Sequence, residues 1–113
     1  MKRRDESRAI RAALAPDTLA DFEGQCHVVS LRLVENAETA GSALSKMWRR
    51  AHVARGRCAA VPIEHSWVVV DDKRIVDVTR WFYDKGVEPI HRTTVDDPAY
   101  VETSSMLRLG RLR

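Results

Sequence analysis

The sequence predicts an α+β domain in which helices come first and an antiparallel sheet follows. In the first half of the chain, apolar residues recur at helical spacing, most clearly over residues 26–37. The second half carries a β-branched run over residues 63–70, a turn at 71–73 and a returning strand over 74–79. With 113 residues, the chain has the length of a single domain with one core.

The N-terminal part, residues 1–23, is predicted to be a helical arm. A short helix over residues 7–14 ends before Pro16, because proline is not tolerated in the interior of a helix. A second short helix follows, with Asp17 or Thr18 as its cap. The arm is expected to pack against the rest of the domain.

The helix predicted over residues 26–37 has apolar residues around much of its circumference, which indicates a central helix packed on more than one side. The other predicted elements are a helix over 42–49, strands over 51–60, 87–94 and 106–112, and a loop or short helix over 96–102. Residues 24–79 then form the core of the domain, and residues 80–113 form the C-terminal part of the sheet.

Composition favours an ordinary globular protein, because 44% of the residues are hydrophobic and 31% are charged. No apolar run approaches the roughly 20 residues of a membrane span, and no apolar signal-peptide core follows the charged N-terminus. These features predict a cytoplasmic protein without a membrane partner. The net charge of +3 is modest and few aromatic residues interleave with the basic clusters, so a nucleic-acid-binding module is disfavoured.

Cys26 is the first candidate for chemistry, because it lies at the predicted start of the central helix, directly after Gly24 and Gln25. The unpaired N–H groups and the dipole at a helix N-terminus favour a thiolate, which is the nucleophilic form of cysteine. The same N–H groups can stabilise an oxyanion that forms on a substrate carbonyl. A buried structural cysteine is the alternative interpretation of Cys26, and the one preferred for Cys58.

His65 and Asp77 lie on two consecutive predicted strands. His65 shares a strand face with Trp67, two residues further on. Asp77 faces the same side if the numbers of the paired residues in this hairpin have a suitable even sum, whereas an odd sum turns it away. A cysteine that attacks an acyl carbon, a histidine that transfers protons and a carboxylate that orients the imidazole together form a nucleophilic triad.

Residues 24–79 resemble the transglutaminase-like and papain-like cysteine peptidase superfamily, in particular its small bacterial and phage-type members. The motif His-x-Trp-Val-x-Val begins at His65, and Asp-x-Thr begins at Asp77. The cysteine that opens an upstream helix completes the order Cys, His, Asp. The resemblance implies a papain/transglutaminase-like fold, in which the nucleophile helix packs on an antiparallel sheet. It also implies that Cys26 is the nucleophile, His65 the general acid/base and Asp77 the orienting carboxylate.

Gly24, Gln25 and Trp67 are predicted to line the oxyanion or substrate side of this site. Papain-like enzymes usually place their oxyanion glutamine several residues before the cysteine, whereas Gln25 is adjacent to Cys26. A zinc site built from Cys26, His27, Cys58 and His65 is the main chemical alternative. The paired Cys-x-x-Cys or His-x-x-x-His spacing typical of zinc ligands is absent, so neither a metal nor another cofactor is predicted.

The sequence thus predicts a thiol hydrolase that cleaves an amide or peptide bond in a peptide or protein substrate, through an acyl-enzyme on Cys26. Glutamine deamidation uses the same machinery and stays open, as does acyl transfer to an amine. The alternative is a non-catalytic module of the same fold that binds a peptide or protein partner.

Overall fold

The computed structural model describes residues 2–104, which form three α-helices packed on a five-stranded antiparallel sheet. The helices are α1 (Arg3–Leu14), α2 (Cys26–Glu38) and α3 (Ala43–Met47). The strands are β1 (Ala51–Cys58), β2 (His65–Val70), β3 (Arg74–Asp77), β4 (His91–Thr94) and β5 (Tyr100–Ser104), and two 3₁₀ turns cover Leu19–Phe22 and Arg80–Phe82. The predicted α+β class, with helices before strands, is confirmed.

The sheet has the strand order β4-β3-β2-β1-β5, so β5 returns across the sheet to pair with β1. Strands β2 and β3 pair Val68 with Val76 and Val69 with Ile75. The paired numbers have an even sum, which turns Asp77 to the face that carries the side chain of His65. The condition that the sequence set for a His–Asp couple is therefore met.

The sheet separates two apolar clusters, one on each face. The helix-side cluster joins the three helices to sheet residues such as Val53, Val68 and Val76. The far-side cluster contains Trp67, Tyr100 and their apolar neighbours on β1, β2 and β3. All six residues of β2 are buried, which explains why this central strand has the most continuous apolar run in the chain.

The sheet is curled, because residues of its two edge strands meet on the far side. Tyr100 lies on β5 and His91 on β4, at opposite edges, yet their rings stack with centroids 6.4 Å apart. The hydroxyl group of Tyr100 also reaches Asp77 on β3. The curl therefore gathers side chains from three strands around the end of β3.

The C-terminal region differs from the sequence prediction. The loop or short helix predicted over 96–102 is confirmed as a loop for residues 96–99 and is wrong beyond them, because residues 100–104 form β5 and pair with β1. The strand predicted over 87–94 begins only at His91, and the helix predicted over 42–49 is shorter, at Ala43–Met47. The strand predicted over 106–112 lies outside the described residues. Within residues 2–104, no helix is both long enough and apolar enough to cross a bilayer.

Candidate active site

Cys26 is the first residue of α2, where the chain turns sharply into the helix. Gly24 adopts a positive φ of 74°, which glycine tolerates without strain, and Gln25 is the non-helical cap residue. Val29 and Leu33 hold the helix against the sheet within the helix-side cluster. The thiol of Cys26 is partly exposed at the helix end, where first-turn N–H groups have no intrahelical partner.

His65 and Asp77 form a fully buried couple. The Nε2 atom of His65 lies 2.8 Å from Oδ2 of Asp77, and both side chains have 0% exposure. Four further donors approach the carboxylate: the backbone N–H groups of Thr79 and Arg80 at 3.0 and 3.1 Å, and the hydroxyl groups of Tyr100 at 2.9 Å and Thr79 at 3.4 Å. These donors compensate for lost hydration, so the carboxylate is stable in its charged form.

The second ring nitrogen of His65, Nδ1, is buried and has no hydrogen-bond partner of ordinary geometry within residues 2–104. Because Nε2 is occupied by Asp77, Nδ1 is the nitrogen available to the Cys26 thiol. The thiol and the imidazole do interact, and each shifts the pKa of the other. A loose thiol–imidazole contact of this kind is common in unliganded sites and tightens when a substrate binds.

The environment of Cys26 favours the thiolate. Burial on its own raises the pKa of the thiol, but hydrogen bonding to His65 and to the backbone N–H of Ser66 outweighs this effect. The positive charges of His65 and Arg55 add to the stabilisation, and the pKa of Cys26 falls below its ordinary value of 9.0.

The environment of His65 favours the imidazolium. Burial on its own lowers the pKa of the ring, but hydrogen bonds and charge interactions with Asp77 and Cys26 raise it from 6.5 to about 9. Burial raises the pKa of Asp77, and the interactions with His65, Thr79 and Tyr100 lower it overall. The three groups therefore stabilise one another as thiolate, imidazolium and carboxylate.

A polar network lies beside this triad. The Nη1 atom of Arg55 on β1 donates to Oγ of Ser66 at 2.9 Å, and the same oxygen lies 3.2 Å from Nδ1 of His27. Arg55 also forms an ion pair with Glu64. The network joins β1, the start of β2 and the first turn of α2, and it places a guanidinium close to the nucleophile.

No known protein family, curated protein or solved structure matches this chain. The arrangement of Cys26, His65 and Asp77 is thus the basis for interpreting the site. The sequence predicts these three residues as the site, and the structure brings them together at the N-terminus of α2.

The other predicted site residues do not face the nucleophile. The amide group of Gln25 turns back and donates to the carbonyl oxygen of Asp21, at 3.4 Å. Trp67 is only 1% exposed and packs edge-on against Tyr100 with centroids 4.9 Å apart, so it supports His65 from behind rather than lining a substrate surface. Gly24 contributes its backbone turn.

The sequence did not predict two residues of the site, Tyr100 and Arg55. Tyr100 lies in the region predicted as a loop or short helix, and the long-range pairing of β5 with β1 brings it to Asp77. Arg55 is a charged residue within a mostly buried strand, and this is the feature by which the sequence could have identified it as a site residue. Its position beside Cys26 depends on the register of β1 against β2, in which Arg55 is paired with Ser66.

Cys58 contrasts with Cys26. Both thiols are free, but burial and the negative charge of Asp77 raise the pKa of Cys58 to about 11. His52, like Cys58, is buried, and its Nε2 lies 3.9 Å from Glu102. Across residues 2–104, no three His, Cys, Asp or Glu side chains are grouped as a metal site requires.

Proposed function

We propose that the protein is a thiol hydrolase that cleaves an amide or peptide bond through an acyl-enzyme on Cys26. One observation carries the proposal: His65 binds Asp77 through Nε2, while its buried Nδ1 is left for a thiol at a helix N-terminus. A purely structural histidine gains little from directing a buried ring nitrogen at a thiol. A catalytic one needs that nitrogen to accept and return a proton.

In the proposed reaction, the Cys26 thiolate attacks the carbonyl carbon and the carbonyl π electrons move to oxygen. First-turn N–H groups of α2 stabilise this oxyanion. The imidazolium of His65 then gives its Nδ1 proton to the leaving nitrogen as the C–N bond breaks, which leaves a thioester. Water attacks the thioester while His65 takes a proton, and release of the carboxylic acid regenerates the thiolate.

The residue order and the packing of α2 on an antiparallel sheet support a papain/transglutaminase-like arrangement for this domain. We propose a peptide or protein as the substrate, and the chemistry requires no cofactor. We propose hydrolysis, with water as the acyl acceptor, in preference to transamidation. Because turnover needs Cys26 reduced, we assign the protein to the cytoplasm.

The experiment that tests the proposal is the pH dependence of iodoacetamide labelling, with Cys26 and Cys58 resolved by mass spectrometry. We expect Cys26 to react at a lower pH than an ordinary thiol with a pKa of 9.0, because His65 stabilises its thiolate. Cys58 serves as the internal control and should react only near its raised pKa of about 11.

In the His65→Ala variant, the pKa of Cys26 should return to an ordinary value. The matched control is His52→Ala, which removes another buried strand histidine and should leave the labelling profile of Cys26 unchanged. If Cys26 labels as an ordinary thiol in the folded wild-type protein, the hydrolase proposal fails and the binding module becomes the better interpretation.

A further inference from the structure

Arg55 connects both halves of the proposed catalytic pair. Its guanidinium donates to Ser66, which directly follows His65, and Ser66 in turn contacts His27, which directly follows Cys26. The strand register fixes this placement, since Arg55 lies opposite Ser66 in the β1–β2 ladder. The positive charge is therefore held beside the nucleophile by the fold itself.

Within the described residues, only some of the N–H donors of the Arg55 guanidinium group form hydrogen bonds. Its hydrogen bonds within residues 2–104 use Nη1, to Ser66, and Nε, to Glu64, so Nη2 keeps its N–H donors. Glu64 is the one acid bonded to it in this part of the chain, and this carboxylate side chain is 56% exposed. A solvated carboxylate of this kind is displaced at little cost by another carboxylate.

Glu64, the partner of Arg55, also borders space that a substrate could occupy. Glu64 lines a surface groove of about 580 Å³, which also has residues of the 59–63 segment, the C-terminal end of β1 and β5 in its lining. Ile63 and Val101 contribute exposed apolar walls to this groove, with 55% and 44% exposure. A peptide chain lying there would bring its polar groups past the Glu64–Arg55 pair.

We propose that Arg55 binds a carboxylate group of the substrate next to the scissile amide, and that Glu64 occupies this position in the unliganded protein. A guanidinium fork matches a carboxylate in geometry as well as charge. The substrate class is thus an acidic peptide, with the carboxylate on an Asp or Glu side chain or at a free C-terminus. This inference rests on the proposed thiol hydrolase function.

The test compares two alkylating reagents that differ by a carboxylate, iodoacetate and iodoacetamide, in their rates of reaction with Cys26. In the Arg55→Gln variant, the iodoacetate/iodoacetamide rate ratio should fall by about fivefold. In Glu64→Gln, the ratio should rise, because the competing carboxylate is gone. The ratio cancels any change in the pKa of Cys26, since both reagents need the same thiolate.

Arg50→Gln is the matched control. Arg50 precedes β1 at its opposite end and pairs with a surface acid, Asp72, as Arg55 does with Glu64. Loss of this charge should leave the ratio at its wild-type value. A ratio that is equal in wild type, Arg55→Gln and Glu64→Gln overturns the inference, even if Cys26 keeps its low pKa. An ordinary pKa of Cys26 with both reagents instead contradicts the hydrolase proposal.

Two peptide pairs distinguish the sources of the carboxylate, with protection of Cys26 from iodoacetamide as the readout. Acetyl-Ala-Asp-amide against acetyl-Ala-Asn-amide tests a side-chain carboxylate. Acetyl-Ala-Ala as the free acid against its amide tests a C-terminal carboxylate. Stronger protection by the acidic member of one pair, lost in Arg55→Gln, assigns the source, whereas equal protection within both pairs counts against the inference.

Discussion

Glu6 and Asp77 are both buried carboxylates, yet their partners differ in kind. Glu6 accepts hydrogen bonds from Arg74 at 2.7 Å, from Arg92 at 2.6 Å and from the indole of Trp48 at 2.7 Å. Arginine keeps its charge at any pH at which a protein folds. The Glu6 cluster is therefore a fixed ion pair that ties α1 to β3 and β4.

Asp77 has no arginine side chain among its hydrogen-bond partners in the described residues. Within residues 2–104, its one ionisable cationic partner is His65, and its other donors are neutral: two backbone N–H groups and two hydroxyl groups. Histidine can lose its proton, so the charge opposite Asp77 is able to change during a reaction. The comparison teaches that the partner of a buried acid, rather than its burial, separates a structural carboxylate from a candidate catalytic one.

The largest expected effect is that of Asp77→Asn on turnover. The two backbone N–H groups at Oδ1 fix the Asn carbonyl oxygen there, so its amide group replaces Oδ2 and donates to Nε2 of His65. The imidazole must then carry its proton on Nδ1, where it cannot accept one from Cys26. We expect turnover of a peptide substrate to fall roughly 10³- to 10⁴-fold.

Asp72→Asn is the control for this change, because Asp72 lies in the exposed β2–β3 turn and pairs with a surface arginine, Arg50. Its turnover should equal that of the wild type. An Asp77→Asn variant that keeps wild-type turnover would remove the distinction between the two buried acids.

Glu6→Gln should give the opposite result, with a loss of stability and no loss of chemistry. Two arginines are left facing a neutral group, and we expect the free energy of unfolding to fall by about 3 kcal/mol. The labelling profile of Cys26 in the folded protein should stay unchanged. Denaturant titration provides the measurement, and Asp17→Asn is the control, because its exposed pair with Arg32 contributes at most about 1 kcal/mol.

Acid should reproduce the effect of Glu6→Gln. Burial raises the pKa of Glu6, but Arg74, Arg92 and Trp48 outweigh it and lower the pKa from 4.5 to about 2. A depressed carboxyl pKa gives stability that is fully present above pH 4.5 and is lost as the pH falls toward 2. The stability difference between wild type and Glu6→Gln should therefore shrink over that range. A difference that is constant from pH 5 to pH 2 would show that Glu6 acts through packing instead of charge.

The sequence identified one of the two buried acids, Asp77, as a candidate site residue and gave no signal for the other, Glu6. Asp77 was found because its type, its strand and its position after His65 match a triad. Glu6 gave no such signal, since its partners lie 42 to 86 residues away and are brought together only by packing of α1 on the sheet. Local spacing therefore predicts a hairpin couple, whereas contacts between distant elements require the fold.

Tyr100 shows the same limit within the site. A short turn sets the strand register of the β2–β3 hairpin. The sequence could therefore predict the His65–Asp77 pair on the single condition that the paired residue numbers have an even sum. The β1–β5 ladder joins segments more than 40 residues apart and contains a bulge between Arg55 and Gly56. No local pattern specifies such a pairing.

The pH dependence of turnover should separate the contributions of Cys26 and His65, the two partners of the proposed catalytic pair. Turnover should rise as the pH passes the lowered pKa of Cys26, and it should fall above the raised pKa of His65, at about 9, by about tenfold per pH unit. Iodoacetamide labelling needs only the thiolate, so it should not fall above pH 9. Parallel loss of labelling and turnover at high pH would point to unfolding instead of deprotonation of His65.

Tyr100→Phe should have the smallest effect and thus gives the finest test of the comparison. The change removes one neutral donor from Oδ2 of Asp77 while the ring keeps its edge contact with Trp67. Without this hydrogen bond, the strength of the interaction between Asp77 and the imidazolium of His65 changes. We expect turnover to change by about fivefold, equivalent to roughly 1 kcal/mol. Because Tyr100 acts through Asp77, the high-pH limb assigned to His65 should shift as well. Tyr83→Phe, at an exposed tyrosine, should change neither. If Tyr100→Phe lowers the free energy of unfolding but leaves the high-pH limb of turnover in place, Tyr100 contributes through packing only. The protonation of His65 then does not depend on the Tyr100 hydroxyl group.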